Sequence, residues 1–252
     1  MPTALITGAT AGIGAAFARR LAKGGLDLVL VARNAEKLTE TAEQLQADYG
    51  VAVEVLPADL SEDEGISRVE ERLRQGVDLL VNNAGFGNQG TFLNVPLEDE
   101  LRMLKVHCEA VLRLTYAALP GMRERHKGGI INVASVAAFF SRGTYGASKA
   151  WVVSFSQGIA NDVKEPNVKV MALCPGFVHT EFHERAKMDV SGIPEPLWLN
   201  ADQVVATALS DLKKGVQVSV PSPQYKAIVG LGKLVPRNLA GKLSSRTGRR
   251  YD

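Results

Sequence analysis

The 252-residue sequence predicts a doubly wound α/β fold, a parallel sheet with helices on both faces, from two observations. Short β-branched or leucine-rich runs alternate with longer stretches whose apolar residues recur at i, i+3 and i+4, and the first run passes directly into a glycine-rich turn. Such alternation calls for helical crossovers, which make neighbouring strands parallel and cover both faces of the sheet. Composition does not shift along the chain, so one domain over residues 1–252 is expected, large enough to bury a substantial core.

The first strand centres on Ala4, Leu5 and Ile6, residues 7–14 form the glycine turn, and residues 15–21 read as the helix after it. Further strands are expected at 26–32, 51–56, 77–81, 129–134, 168–173 and 216–220. Between them, Leu101, Leu104 and Cys108 share a helix face, as do Trp151, Phe155 and Ile159. Residues 177–200 break this rhythm, with Gly192, Pro194 and Pro196 among charged and aromatic residues. They read as a long loop with one short helix, and loops of that length commonly serve as lids. Residues 225–243 interleave apolar residues with Lys226, Lys233, Arg237 and Lys242, and Arg246, Arg249 and Arg250 follow. This basic tail over 225–252 has the composition to rest on an anionic membrane or approach a lipid carrier; a solvated surface helix with a frayed end is the alternative.

The formal net charge of +2 argues against a general nucleic-acid binder. Cys108 and Cys174 are far apart in apolar surroundings, without metal-ligand spacing or a disulfide framework, which fits a reducing cytoplasm. The first strand begins so near Met1 that no signal peptide is expected, and no apolar run approaches the roughly 20 residues needed to span a bilayer.

Three clusters point to chemistry. Gly8, Thr10, Gly12, Ile13 and Gly14 lie at the first strand-helix junction, where glycines let backbone amides approach a pyrophosphate and a helix N-terminus favours its charge. At the end of the second strand, Arg33 and Asn34 stand where an acid would bind a ribose 2′-hydroxyl; Arg33 instead suits a 2′-phosphate, favouring NADP(H). Arg33 resting in solvent at the sheet edge is the bland alternative. Tyr145 and Lys149 lie four apart on one helix face, so the ammonium can sit beside the phenol and favour its ionised form.

With this glycine loop, Asn82-Asn83-Ala84-Gly85 after the fourth strand, Ser135 after the fifth, Tyr145 with Lys149, and Pro175-Gly176 after the sixth, the chain resembles the single-domain short-chain dehydrogenases/reductases, from about Pro2 to Val220. The resemblance implies a seven-stranded Rossmann-like sheet and dimers or tetramers formed through long helices around 100–125 and 145–163. It implies that Asp59 and Leu60 lie at the adenine, that Asn83, Ala84, Gly85, Pro175, Gly176 and Val178 line the cofactor, and that Thr180 contacts the carboxamide side of the nicotinamide. It further implies that Ser135 holds the substrate oxygen, that Tyr145 donates or takes its proton, and that Lys149 holds the nicotinamide ribose. The Tyr-Gly-Ala-Ser-Lys-Ala-Trp stretch is similar to that of actinobacterial family members reducing long-chain 3-oxoacyl lipids of the mycolate-precursor kind.

Two features depart from the family pattern. His107 stands where an asparagine usually supports a proton-relaying water chain; imidazole can serve such a relay, and a structural histidine is the equal alternative. The loop between Ser135 and Tyr145 is shorter than usual, which should trim one wall of the site and suit a bulky substrate. Phe177, Val178, Phe182, Met188, Ile193, Leu197 and Trp198 in the lid point to an apolar substrate, although His179, Glu181, His183 and Arg185 accompany them. The expectation is an NADPH-dependent reductase of an apolar carbonyl, a long-chain 3-oxoacyl lipid being one candidate. A secondary-alcohol or steroid-type dehydrogenase and a non-catalytic dinucleotide sensor are the competing readings.

Overall fold

The computed structural model describes residues 1–182, 186, 190 and 192–234. Its main strands are β1 Thr3–Thr7, β2 Asp27–Ala32, β3 Val53–Pro57, β4 Leu79–Asn82, β5 Gly128–Val133, β6 Val168–Leu173 and, after a separate pair, β9 Val218–Ser219. They form one seven-stranded sheet in the order β3-β2-β1-β4-β5-β6-β9, and every neighbouring pair is parallel. All seven expected strands are present; their ends shift by a residue or two, where fraying and turn geometry rather than apolar pattern set the limit. The chain starts at β1, winds outward to β3, and then builds the other half from β4. The connections leaving β1 and β4 therefore diverge, opening a crevice at the strands' carboxyl ends.

Successive strand residues face opposite sides of the sheet, and both sides are covered. Ala4 and Ile6 pack toward α1 Gly12–Lys23, α2 Ala35–Tyr49 and α7 Ala201–Lys213. Leu5 packs toward α3 Asp63–Arg74 and α5 Ala110–Glu124. This two-sided burial is why the strands read as apolar runs rather than alternating ones. Each fully buried Leu, Ile or Phe contributes roughly 1.5–3 kcal/mol, and Leu5, Ile6, Phe17, Leu30 and Leu80 are of this kind.

The helix expected around 100–125 has three parts: α4 Leu97–Leu104, a π-helical turn Lys105–Glu109 that carries His107, and α5. Such a widened turn is commonly a functional feature, because the extra residue redirects one side chain. The other long helix, α6 Gly143–Asp162, carries Tyr145 and Lys149. The described residues of the 177–200 segment include regular elements not expected from the sequence. The segment forms β7 Phe177–Val178, a 3₁₀ turn Glu195–Leu197 and β8 Trp198–Leu199, with β7 and β8 pairing as a two-stranded parallel sheet. Its Met188, His183 and Arg185 lie outside the described residues. Beyond β9, α8 Pro223–Leu234 packs across the open side of the crevice. The tail cations from Arg237 onward lie outside the described residues. Among those residues no helix is long and apolar enough to cross a membrane.

Candidate active site

The glycine turn between β1 and α1 is built for backbone exposure. Gly8 and Gly12 adopt φ of +66° and +53°, a region that glycine enters without penalty. Ala11 precedes α1 without a side-chain cap, leaving the first-turn N–H groups and the positive end of the helix dipole available to an anion. Gly14 serves differently from the expectation. It does not line the cleft, and a Cβ there would stand 2.2 Å from the Gly8 carbonyl oxygen. It is glycine so that helix and turn can pack closely.

Thr7, at the end of β1, ties this turn to the β4 exit. Its hydroxyl accepts the N–H groups of Asn83 and Ala84, each at 2.9 Å. The Asn83 side-chain amide donates to the carbonyls of Thr7 at 2.9 Å and Gly8 at 3.2 Å. Thr7 opens the glycine turn expected over residues 7–14, but its tie to the residues after β4 carried no local signal. Arg33 follows β2 and lines the crevice beside Asn34, whose side-chain oxygen caps α2 by accepting the Lys37 N–H at 2.8 Å. Lys37, in the first turn of α2, also lines this end, a basic residue whose nearness to Arg33 in sequence could have been read. Asp59 accepts from the Ser61 N–H at 2.9 Å and hydroxyl at 2.7 Å. Burial alone would raise its pKa, but these bonds and the charges of Arg33 and Arg102 outweigh it, holding the carboxyl below its usual range. Leu60 is buried beside it, and Arg102 of α4 enters this wall without any sequence signal.

At the other end, Ser135 leaves β5 in extended conformation and caps the 3₁₀ turn Val136–Phe139, accepting the Ala137 N–H at 3.1 Å. The short connection to α6 is filled by this turn, and residues 136–142 themselves form a wall of the crevice. Burial pushes the Tyr145 phenol up to about 12, with the Ser135 hydroxyl pulling it the other way. Burial thus outweighs the Ser135 hydrogen bond in setting the direction of this shift. The Lys149 ammonium stands 5.9 Å from the centre of the Tyr145 ring and donates to the Val133 carbonyl at 3.0 Å. Burial brings its pKa down to about 8, partly offset by Cys108 and Cys174.

His107 is fully buried behind this group and does not line the crevice. Its Nε2 accepts the Phe86 N–H at 3.2 Å, so a neutral ring carries its proton on Nδ1, which lies 2.9 Å from the Ser148 hydroxyl. That hydroxyl in turn donates to the Tyr145 carbonyl at 2.8 Å. Both ring nitrogens are therefore committed, tying the loop after β4 to the first turn of α6. A Cβ on Gly85 would lie 2.9 Å from the ring, which explains glycine there. Burial and the Lys149 charge hold the His107 pKa well below its usual value, while the Phe86 bond counteracts them. The unfolded chain consequently takes up this proton first, and stability should fall as pH drops below about 6.5. His107→Asn can make both bonds and is expected to keep turnover while flattening the acid limb of a melting-temperature profile. His107→Leu removes the acceptor of the Phe86 N–H and the donor to the Ser148 hydroxyl, and should cost about 1–3 kcal/mol. Equal acid limbs for wild type and His107→Asn would contradict this assignment.

The whole crevice has a volume of about 2230 Å³, beyond the roughly 300–1,000 Å³ of a pocket for one small ligand. Besides the groups above, Gly8, Thr10, Gly12, Ile13, Asn83, Ala84, Gly85, Pro175, Gly176, Val178 and Thr180 line it. Thr180 closes over the glycine turn: a Cβ on Gly12 would be 3.1 Å from its methyl group. From the lid, Phe177, Phe182, Ile193 and Leu197 line the substrate side. Trp198 does not; its ring stacks on His179 with centroids 4.7 Å apart. The residues present fit a dinucleotide: a side-chain-free glycine cradle, a helix N-terminus facing it, and cations at the far end.

A doubly wound sheet with a glycine cradle at its switch point and a tyrosine-lysine pair across the crevice defines a class of dinucleotide-binding oxidoreductases. The chain belongs to the short chain dehydrogenase family, whose profile matches residues 2–190. It is 36% identical over 196 residues to a very-long-chain 3-oxoacyl-CoA reductase of Anas platyrhynchos, a match covering 73% of this chain and 62% of that protein. It thus spans less than two thirds of that relative's length. A short-chain dehydrogenase from Sphingobium yanoikuyae, solved with NADPH, superposes with a TM-score of 0.84 at 36% identity, covering 92% of this chain and 94% of that one. A bulky-bulky ketone specific alcohol dehydrogenase from Comamonas testosteroni superposes with a TM-score of 0.79 at 30% identity, covering 94% and 96%.

Proposed function

We propose that the protein is an NADPH-dependent reductase that converts an apolar ketone, such as a long-chain 3-oxoacyl group, to a secondary alcohol. The observation that carries this reading is the placement of Ser135, Tyr145 and Lys149 at one end of a crevice whose opposite end holds Arg33 and Lys37. The bound reduced dinucleotide supplies the hydride. Ser135 and Tyr145 hold the substrate carbonyl oxygen, and Tyr145 gives it a proton as negative charge develops. A buried phenol that stays protonated at neutral pH is in the donor form for reduction. Lys149 holds the ribose and balances the phenolate left after transfer.

Arg33 and Lys37 supply cations suited to a 2′-phosphate, and what supports this reading is their place on the crevice wall together with a similar solved protein that holds NADPH. Phe139, Phe182, Ile193, Leu197 and Ile228 give the substrate side its apolar lining, in keeping with the long-chain and bulky substrates in the names of two relatives. Exposed Leu101, Leu112 and Tyr116 on α4 and α5 support assembly through that helix. Oxidation of NADPH by the purified protein with a panel of medium- and long-chain 3-oxoacyl thioesters tests the reading, and no turnover with any of them would overturn it. Arg33→Asp is expected to raise KM for NADPH about 100-fold, as a phosphate loses a cation and meets an anion, with little change for NADH. Equal effects on the two cofactors would remove the phosphate assignment.

A further inference from the structure

Two residues of α8, Tyr225 and Ile228, enter the substrate side of the crevice one helical turn apart. Tyr225 is only 4% exposed, yet its hydroxyl is fully used. It accepts the Phe177 N–H at 3.1 Å and donates to the Leu197 carbonyl at 2.9 Å. One phenol thus joins α8, the start of β7 and the residue preceding β8. Its ring is packed so closely on the turn after β6 that a Cβ on Gly176 would lie 2.0 Å from two of its carbons. Burial raises the pKa of this phenol, so it keeps the proton it donates.

The lid needs such a tie. Among the described residues, β7 and β8 pair through Phe177 with Trp198 and Val178 with Leu199, extended by the His179 N–H to the Leu199 carbonyl at 3.0 Å, and a two-stranded sheet of this size gains from packing against a helix. We propose that Tyr225 is a positioning residue for the substrate, its hydroxyl fastening α8 to β7 and to the turn that leads into β8 and so placing the Ile228 wall where a long apolar chain leaves the reacting carbonyl. The inference rests on the reductase reading of the same crevice. A short substrate ends before that wall and is indifferent to it; a long one is not. Loss of the hydroxyl removes its bonds to the Phe177 N–H and the Leu197 carbonyl, so lid and helix lose this shared tie together.

The test uses the full-length protein with NADPH and two N-acetylcysteamine thioesters, 3-oxobutanoyl and 3-oxododecanoyl. Tyr225→Phe is expected to raise KM for the long thioester about tenfold while kcat, KM for NADPH and KM for the short thioester stay within about twofold. Ile228→Ala, at a partly exposed site with little bearing on folding, should raise KM for the long thioester about threefold and spare the short one. Equal rises for both chain lengths, or no rise with the long one in either variant, would overturn the assignment. A wild-type protein that reduces neither thioester would fail the reductase reading itself; an active wild type with chain-length-blind variants would fail this inference alone.

Discussion

Tyr145→Phe is expected to lower kcat by about 1,000-fold, within the 10²–10⁴ range for loss of a general acid, while KM for NADPH changes less than about twofold. The substitution removes one oxygen and little else. The ring keeps its edge-on contact with His107, at 5.6 Å between centroids, and its contact with Phe182, at 6.2 Å. The crevice therefore keeps its shape and its cofactor contacts. What disappears is the proton donor, and the Ser135 hydroxyl is left to hold the carbonyl oxygen alone. Steady-state rates of NADPH oxidation and a direct titration of NADPH binding separate the two effects. Turnover retained within tenfold of wild type would take Tyr145 out of the chemistry.

Lys149→Met should abolish most turnover and, at neutral pH, stabilise the nucleotide-free protein. The ammonium is buried, and its pKa falls from 10.5 to about 8. By linkage such a shift corresponds to about 3 kcal/mol of destabilisation at most. Methionine removes that cost but deprives the Val133 carbonyl of its donor, a loss of about 1–3 kcal/mol. A net gain on the order of 1 kcal/mol would raise the melting temperature by about 2–4 °C for a chain of this size. Its pH dependence is the sharper signature. The cost of the buried ammonium is fully present below the folded pKa of about 8 and vanishes above the unfolded value of 10.5. The advantage of the variant should therefore shrink between pH 8 and pH 10 and give way to the loss of the Val133 bond. Thermal melts of both proteins at pH 7 and pH 10 measure this gap; a constant gap would show that the lysine is not strained. Taking the difference between the proteins matters, because the buried Cys174 thiol and Tyr145 phenol, both pushed up to about 12, lower stability in alkali on their own. The site thus holds a charge at some cost to the fold, and that charge stands beside the Tyr145 ring.

Those groups were legible in the sequence because each depends on local geometry. Gly8 and Gly12 follow a strand directly, and Tyr145 and Lys149 share a face through helical spacing alone. Gly14 was recognisable as part of the motif but not in its role, since only the fold brings the Gly8 carbonyl to within a methyl group of it. The lid was visible as an interruption in the helical rhythm. Its strands were not, because the two residues of β7 meet their partners in β8 some twenty positions later, too few for any periodicity.

His107 lay between these cases. The sequence showed an imidazole in place of an asparagine and left relay and structural readings level; the described hydrogen bonds to Phe86 and Ser148 commit both nitrogens and favour a neutral tie. Thr7 was visible as the first residue of the glycine turn but not in its role, and Arg102 and Tyr225 carried no signal, being a surface-type helix cation and one aromatic among several.

By itself, then, the sequence determined the parallel sheet, the order of its elements and the local motifs, since apolar period and glycine placement act over one or two turns of chain. Only the tertiary structure decided which charges face Asp59, why the phenol stays protonated beside a lysine, and how Tyr225 joins α8 to the lid. Burial and hydrogen-bond partnership are properties of residues brought together across the fold, and no local pattern encodes them.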